Sequence, residues 1–141
     1  MKRVLAVDYG RRRVGLAVSD PLGITAQGLE TVAVRSLKAA AAEVARVAEE
    51  VEAGEVVVGL PLNMDGSAGE MAAEAGAFAA EVERRTGLPV RRWDERLTSV
   101  AAGRAMREMG VRTKGRKGEV DRASAVLILQ GYLDSKRVRE G

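Results

Sequence analysis

Val4-Leu5-Ala6-Val7-Asp8-Tyr9-Gly10-Arg11-Arg12-Arg13-Val14-Gly15-Leu16-Ala17-Val18-Ser19 decides the fold. Val4 to Tyr9 reads as a buried strand carrying one carboxylate. Arg13 to Ser19 reads as a second strand, with Val14, Leu16 and Val18 on one face. Gly10 and the three arginines leave only a short turn between them, so the pair forms a hairpin. A charge in such an apolar strand costs several kcal/mol unless it is paired or binds a metal. Asp8 is therefore either a partnered structural residue at a strand end or a metal ligand.

Beyond the hairpin, Pro21 and Gly23 turn the chain into an edge-like third strand from Ile24 to Val34, with Gly28 marking a bulge or bend. Ser36 is a natural N-cap. Leu37, Ala40, Ala41, Val44, Val47, Ala48 and Val51 follow at helical spacing until Gly54. Glu55 to Leu60 is a β-branched run suited to a buried parallel strand. A loop through Asp65 and Gly66 leads to Ser67 and Glu70, whose spacing fits a capping box opening a helix that Gly87 stops. Leu88 to Trp93 is a short strand. Thr98 or Ser99 caps a third helix that Gly110 closes, and Gly110 to Gly118 is a basic, glycine-rich loop. Val120 to about Ser135 is the last helix, apolar on every side in its middle. This order predicts one α/β domain over residues 1–141. Its mixed five-stranded sheet has three antiparallel strands, then parallel βαβ units, with helices on both faces.

The chain contains no histidine and no cysteine. That removes the Ser-His-Asp triad, imidazole and thiolate metal sites, and disulfides. Any metal is held by oxygen, which favours Mg²⁺ or Mn²⁺. Besides Asp8, two acidic positions stand out. Asp94-Glu95 follows a strand at the carboxyl end, where α/β sheets place ligands. Asp121 lies in the first turn of the last helix, where a carboxylate also complements the helix dipole. Acids from separate elements are what a pair of divalent ions about 4 Å apart requires to hydrolyse a phosphodiester.

Charge is unevenly spread. Residues 30–83 carry 3 basic and 11 acidic side chains, and residues 84–117 carry 11 basic and 3 acidic ones. With Arg11, Arg12 and Arg13 this is the footprint of a phosphate-backbone binder, or else a solvated face. No apolar run is long enough for a membrane span. The N-terminus turns acidic too early for a signal peptide, so the cytosol is the expected compartment.

Val7-Asp8-Tyr9-Gly10 followed by Val14-Gly15-Leu16-Ala17-Val18-Ser19-Asp20 resembles the opening of the YqgF (RuvX) family. Gly59-Leu60-Pro61 with Asp65-Gly66-Ser67 is similar to its second motif, and Asp94-Glu95-Arg96-Leu97-Thr98-Ser99 to its third. Asp121-Arg122-Ala123-Ser124-Ala125 resembles the start of its final helix. The resemblance implies an RNase H-like fold and a nuclease: a processing enzyme for pre-16S rRNA or a Holliday junction resolvase. It also implies three metal-binding acids, Asp8, Glu95 and Asp121. Asp94 and Asp65 stay open as additions to the middle acid or replacements for it, and no clear fourth acid is evident.

The leading expectation is a Mg²⁺- or Mn²⁺-dependent nuclease acting on structured RNA or branched DNA. Arg11, Arg12, Arg13, Arg96, Lys114, Arg116 and Lys117 would hold phosphates. A non-catalytic nucleic-acid-binding factor is the second reading. Phosphotransfer is the third, because the Asp-x-Gly strand-turn-strand also resembles the phosphate loop of actin-like ATPases and sugar kinases. A monomer is expected, although cutting two strands of a junction in concert would need a symmetric dimer.

Overall fold

The computed structural model describes residues 2–98 and 117–140, with side chains over 122–137 in the last helix. The chain runs β1 (Arg3–Asp8), β2 (Arg13–Ser19), β3 (Ala26–Gly28), β4 (Val32–Ala33), α1 (Leu37–Glu50), β5 (Ala53–Leu60), α2 (Glu70–Thr86), β6 (Val90–Asp94), a 3-10 turn (Glu95–Leu97) and α3 (Lys117–Glu140). The sheet order is β3-β2-β1-β5-β6, with β4 also pairing with β2. β1 is antiparallel to β2 and parallel to β5, and β5 is parallel to β6. The expected mixed sheet is present. Its third position is split into two short strands rather than one continuous strand over 24–34.

Alternation along the strands sorts side chains onto two faces. Leu5, Val7, Leu16, Val56 and Val58 pack under α1 and α2, around the fully buried Phe78. Val4, Ala6, Ala17 and Val57 face α3, against Ala125, Ile128, Leu129 and Leu133. The α3 face is built from small residues where the helix crosses. A Cβ on Gly28 would lie 2.5 Å from Arg122 Cγ, and one on Gly131 would lie 2.7 Å from Thr98 Cγ2. Among the described residues, no helix is long and apolar enough to cross a membrane.

Ser36 caps α1 as its sequence suggests, accepting a hydrogen bond from the Ala39 N–H at 3.0 Å. Several boundaries differ from expectation. Helix α1 ends at Glu50, and Glu52 (φ 58°), not Gly54, takes the left-handed turn. Gly54 lies inside β5, where a Cβ would sit 2.6 Å from Lys2 Cβ. The capping box at Ser67 does not form: Gly69 is the N-cap of α2, and Ser67 donates its hydroxyl to Asp65 at 2.6 Å instead. Thr98 closes the 3-10 turn. The helix expected from Thr98 or Ser99 to Gly110, and the loop carrying Lys114 and Arg116, lie outside the described residues. Lys117, expected in that loop, opens α3 instead, so α3 begins before Val120.

Candidate active site

Asp8 ends β1 on the face shared by Val4 and Ala6, beneath α3, and is only 4% exposed. Its partner across β2 is Gly15. On the other side the β1–β5 register pairs Val7 with Val58, so the next position alongside Asp8 is Gly59. Both lateral neighbours of Asp8 on this face are therefore glycines.

Glu95 reaches the same place from β6. That strand pairs Gly59 with Trp93 and Leu60 with Asp94, after which the chain tightens into the 3-10 turn. Glu95 is 1% exposed, the most deeply buried acid among the described residues. A Cβ on Gly59 would stand 2.8 Å from Glu95 Oε2, 3.2 Å from its Cδ and 2.6 Å from Ile128 Cδ1. Glu95 thus lies back over β5 toward β1, through the space that the missing Gly59 side chain leaves. β1 and β6 are two strand spacings, about 10 Å, apart. An acid standing on β6 itself would be too distant to share an ion with Asp8, and the turn after the strand removes that distance.

The other acids considered from sequence point elsewhere. Asp94 accepts a forked pair from Arg96, with Nε at 3.0 Å and Nη2 at 2.7 Å, and caps the turn through the Arg96 N–H. The hydrogen bonds from Arg96 hold its carboxyl below the usual carboxylate range. Asp65 is bound into its own loop by the Ser67 hydroxyl and N–H, which lower its pKa in that order of effect. The structure separates both from the buried Glu95.

Asp121 lies one turn inside α3 rather than in its first turn, because the helix starts at Lys117. The dipole argument for a carboxylate there weakens accordingly, since that effect fades within the first turn. The adjacent Arg122 donates Nε to the Leu29 carbonyl at 2.9 Å, and Leu29 N–H bonds Leu16 O at 2.9 Å. Leu16 neighbours Gly15, which faces Asp8. Arg122, next to Asp121, is thus tied to the edge of the sheet beside β3. The Asp121 side chain lies outside the described residues.

The arginines expected to hold phosphates are placed differently from one another. Arg11 forks onto Glu74 (Nε to Oε2, 2.9 Å) and reaches Glu70 at 3.0 Å, pinning the β1–β2 turn to α2. Tyr9 donates its hydroxyl to the same Glu74 at 2.8 Å and stacks on Phe78. Arg96 is bound by Asp94 and by the Met64 carbonyl. Arg12 is exposed in the turn and Arg13 opens β2. The Lys117 side chain, Lys114 and Arg116 lie outside the described residues. Sequence reading missed the ion pairs of Arg11, whose partners lie 59 and 63 residues away. It also missed the spacing role of Gly59, for which the only signal was a glycine near the carboxyl end of a strand.

The donor set fits a hard divalent ion. Two buried carboxylates flank Gly59, Asp8 beside it on β1 and Glu95 against it from β6, and the chain holds no nitrogen or sulfur ligand of the imidazole or thiolate kind. Among the described residues no group of three His, Cys, Asp or Glu forms a metal cluster.

The family model described as RuvX, Holliday junction resolvase, matches residues 2–135. The chain belongs to the RuvX family. A relative from Lachnospira eligens, named "Putative pre-16S rRNA nuclease", is 46% identical over 138 residues, covering 96% of this chain and 99% of its own. One of the same name from Acetivibrio thermocellus is 47% identical over 136 residues, covering 95% and 96%. Among solved structures, RuvC from T. thermophilus in complex with Holliday junction substrate aligns with a TM-score of 0.61 at 17% identity, over 97% of this chain and 96% of that one. The likeness to RuvC supports an RNase H-like fold for this RuvX chain.

Proposed function

We propose that this RuvX chain is a divalent-metal-dependent nuclease that hydrolyses phosphodiester bonds in structured nucleic acid, with the 5′ end of precursor 16S rRNA as its substrate. One observation carries the reading: Asp8 and Glu95, both buried, converge from β1 and β6 across Gly59. The names of the relatives supply the rRNA substrate. Bound Mg²⁺ or Mn²⁺ would neutralise the scissile phosphate and activate the attacking water. Asp8 and Glu95 would hold that ion, with Asp121 as the third acid. Burial beneath α3 limits the water around them, which strengthens their electrostatic effect. Arg12, Arg13, Lys114, Arg116 and Lys117 hold flanking phosphates. The working unit is a single cytosolic domain acting as a monomer.

Cleavage of a four-way DNA junction is the second reading, favoured by the likeness to RuvC and by the family description. The experiment presents precursor 16S rRNA and a four-way junction to the protein with Mg²⁺, Mn²⁺ or EDTA, and repeats both with Asp8→Asn and Glu95→Gln. Cleavage is expected with metal only, on the rRNA precursor, and at background in either variant. Asp8→Asn cutting at the wild-type rate would refute the mechanism. Cutting of the junction alone would transfer the reading to DNA. Salt-dependent binding without cleavage of either substrate would leave a non-catalytic binder.

A further inference from the structure

Arg96 was expected to meet phosphate, yet its guanidinium is already engaged on two sides. Nε and Nη2 fork onto both oxygens of Asp94, and Nη1 donates to the Met64 carbonyl at 3.1 Å. Asp94 and Arg96 flank Glu95 in sequence, and their backbones bracket the turn that carries it. Met64 lies in the loop after β5, the strand whose Gly59 makes room for the Glu95 carboxylate. That loop is organised from within by Asp65, which accepts from the Ser67 N–H at 2.9 Å, and by the Asn63 amide on the Ser67 hydroxyl at 3.0 Å. It also comes close to Arg96. Gly66 has φ +88°, and a Cβ there would lie 3.3 Å from Arg96 Nη1. The Arg96 side chain is 31% exposed, and that of Asp94 23%.

We propose that Arg96 is a positioning residue: clamped by Asp94 and the Met64 carbonyl, it ties the turn carrying Glu95 to the loop after β5 and so fixes the Glu95 carboxylate over Gly59. The proposal rests on the reading of Glu95 as a metal-binding acid. Several physical features support it. A planar fork onto a carboxylate constrains direction as well as distance, which an ammonium cannot do. The negative charge of Asp94 offsets the positive charge of Arg96, so the pair offers little net attraction to phosphate. The turn carrying Glu95 is a single 3-10 turn, which few backbone hydrogen bonds hold in place. Groups that orient a metal-binding side chain typically affect metal affinity or activity by tenfold to a hundredfold when removed.

The test separates positioning from phosphate binding with Arg96→Lys, Arg96→Ala, Asp94→Asn and the Arg96→Ala/Asp94→Asn double variant, each checked for folding by circular dichroism. Binding of a hairpin RNA is measured in EDTA across a salt series, and cleavage is titrated with Mn²⁺ at saturating RNA. The salt slope should match wild type in every variant. Arg96→Lys, despite keeping the charge, should lose about tenfold to a hundredfold in cleavage and need more Mn²⁺ for half-maximal rate. Asp94→Asn should lose a similar factor, and the double variant should be no worse than the weaker single, as for two parts of one clamp. The proposal fails if Arg96→Ala lowers the salt slope by about one while Arg96→Lys restores both slope and cleavage, the signature of a phosphate contact. It also fails if Asp94→Asn binds more tightly and cleaves normally. Asp8→Asn is the control for the underlying reading: wild-type cleavage by that variant overturns the nuclease mechanism and the clamp's role with it, whereas background cleavage leaves the Arg96 outcomes to decide.

Discussion

Gly59→Ala tests the geometry of the acid pair most directly. The new methyl would arrive 2.8 Å from Glu95 Oε2, 3.2 Å from Glu95 Cδ and 2.6 Å from Ile128 Cδ1. Ordinary carbon contacts begin near 3.5 Å, so both neighbours must yield by roughly half an ångström or more. Ile128 is fully buried, and its methyl has little free space to enter. Glu95, buried in the same place, must shift as well. Overpacking of this kind costs typically 1–3 kcal/mol. For a chain of this length, 1 kcal/mol lowers the melting temperature by about 3–5 °C, so a fall of about 3–15 °C is expected. The catalytic cost is larger, since misplacing a reacting group by about 1 Å can lower the rate about a hundredfold. Melting temperature by calorimetry and cleavage at saturating RNA and Mn²⁺ give the two readouts. Gly54→Ala is the matched control: it lies on the same strand at the opposite end, and its methyl would meet Lys2 Cβ at 2.6 Å. That variant should lose stability with cleavage intact. Cleavage at the wild-type rate in Gly59→Ala, or equal losses of cleavage in both variants, would refute the convergence of Asp8 and Glu95 over Gly59.

Two further outcomes follow from the packing. Tyr9 and Tyr132 are both pushed up to about 12, first by burial and then by hydrogen bonds to Glu74 and Glu55. Ultraviolet titration should therefore show almost no tyrosinate at pH 10 in the folded protein; since the unfolded chain ionises near 10, stability from these groups is fully present below pH 10 and is lost as pH rises toward 12. Ser36→Ala removes the cap on Ala39 N–H and should cost about 1 kcal/mol in denaturant unfolding while leaving cleavage unchanged, because α1 packs on the face away from Asp8.

How far the chain could be read from its residues depends on the range of the interaction concerned. The limits of β2, Arg13–Ser19, follow from simple alternation and match the structure. The placement of Asp8 with Val4 and Ala6 follows from the same parity. What alternation cannot supply is which helix covers that face, because this depends on the crossover path. Local misreadings arose where two short-range options competed. Ser67 suited a helix cap, but Asp65 two residues away offered its hydroxyl a nearer carboxylate. Gly54 suited a helix stop, but it is needed where Lys2 crosses β5. The arginines were the least legible. Arg11 and Arg96 look alike as exposed cations near a turn, yet each is bound by acids whose approach depends on the finished fold. Glu95 could be distinguished from Asp94 only once the turn after β6 had been seen to place one acid under α3 and the other onto Arg96.

The small residues beneath α3 give the remaining prediction its force. One row across the sheet on that face runs Gly28, Ala17, Ala6 and Val57, and the next runs Gly15, Asp8 and Gly59. Only Val57 in the first row is branched, so α3 lies close to the sheet backbone on this face. Ala17→Val inserts two carbons under the helix at a fully buried position. If the helix is the part that gives, the stability loss stays within the 1–3 kcal/mol typical of overpacking, while the spacing between α3 and the carboxylates opens. Ala41→Val, equally buried but packed on the α1 face, imposes a similar steric load on the other side of the sheet. Cleavage relative to melting temperature should therefore fall much further in Ala17→Val than in Ala41→Val. A common line relating cleavage to stability for both variants would show that the closeness of α3 matters to folding alone, and that the acids do not depend on it.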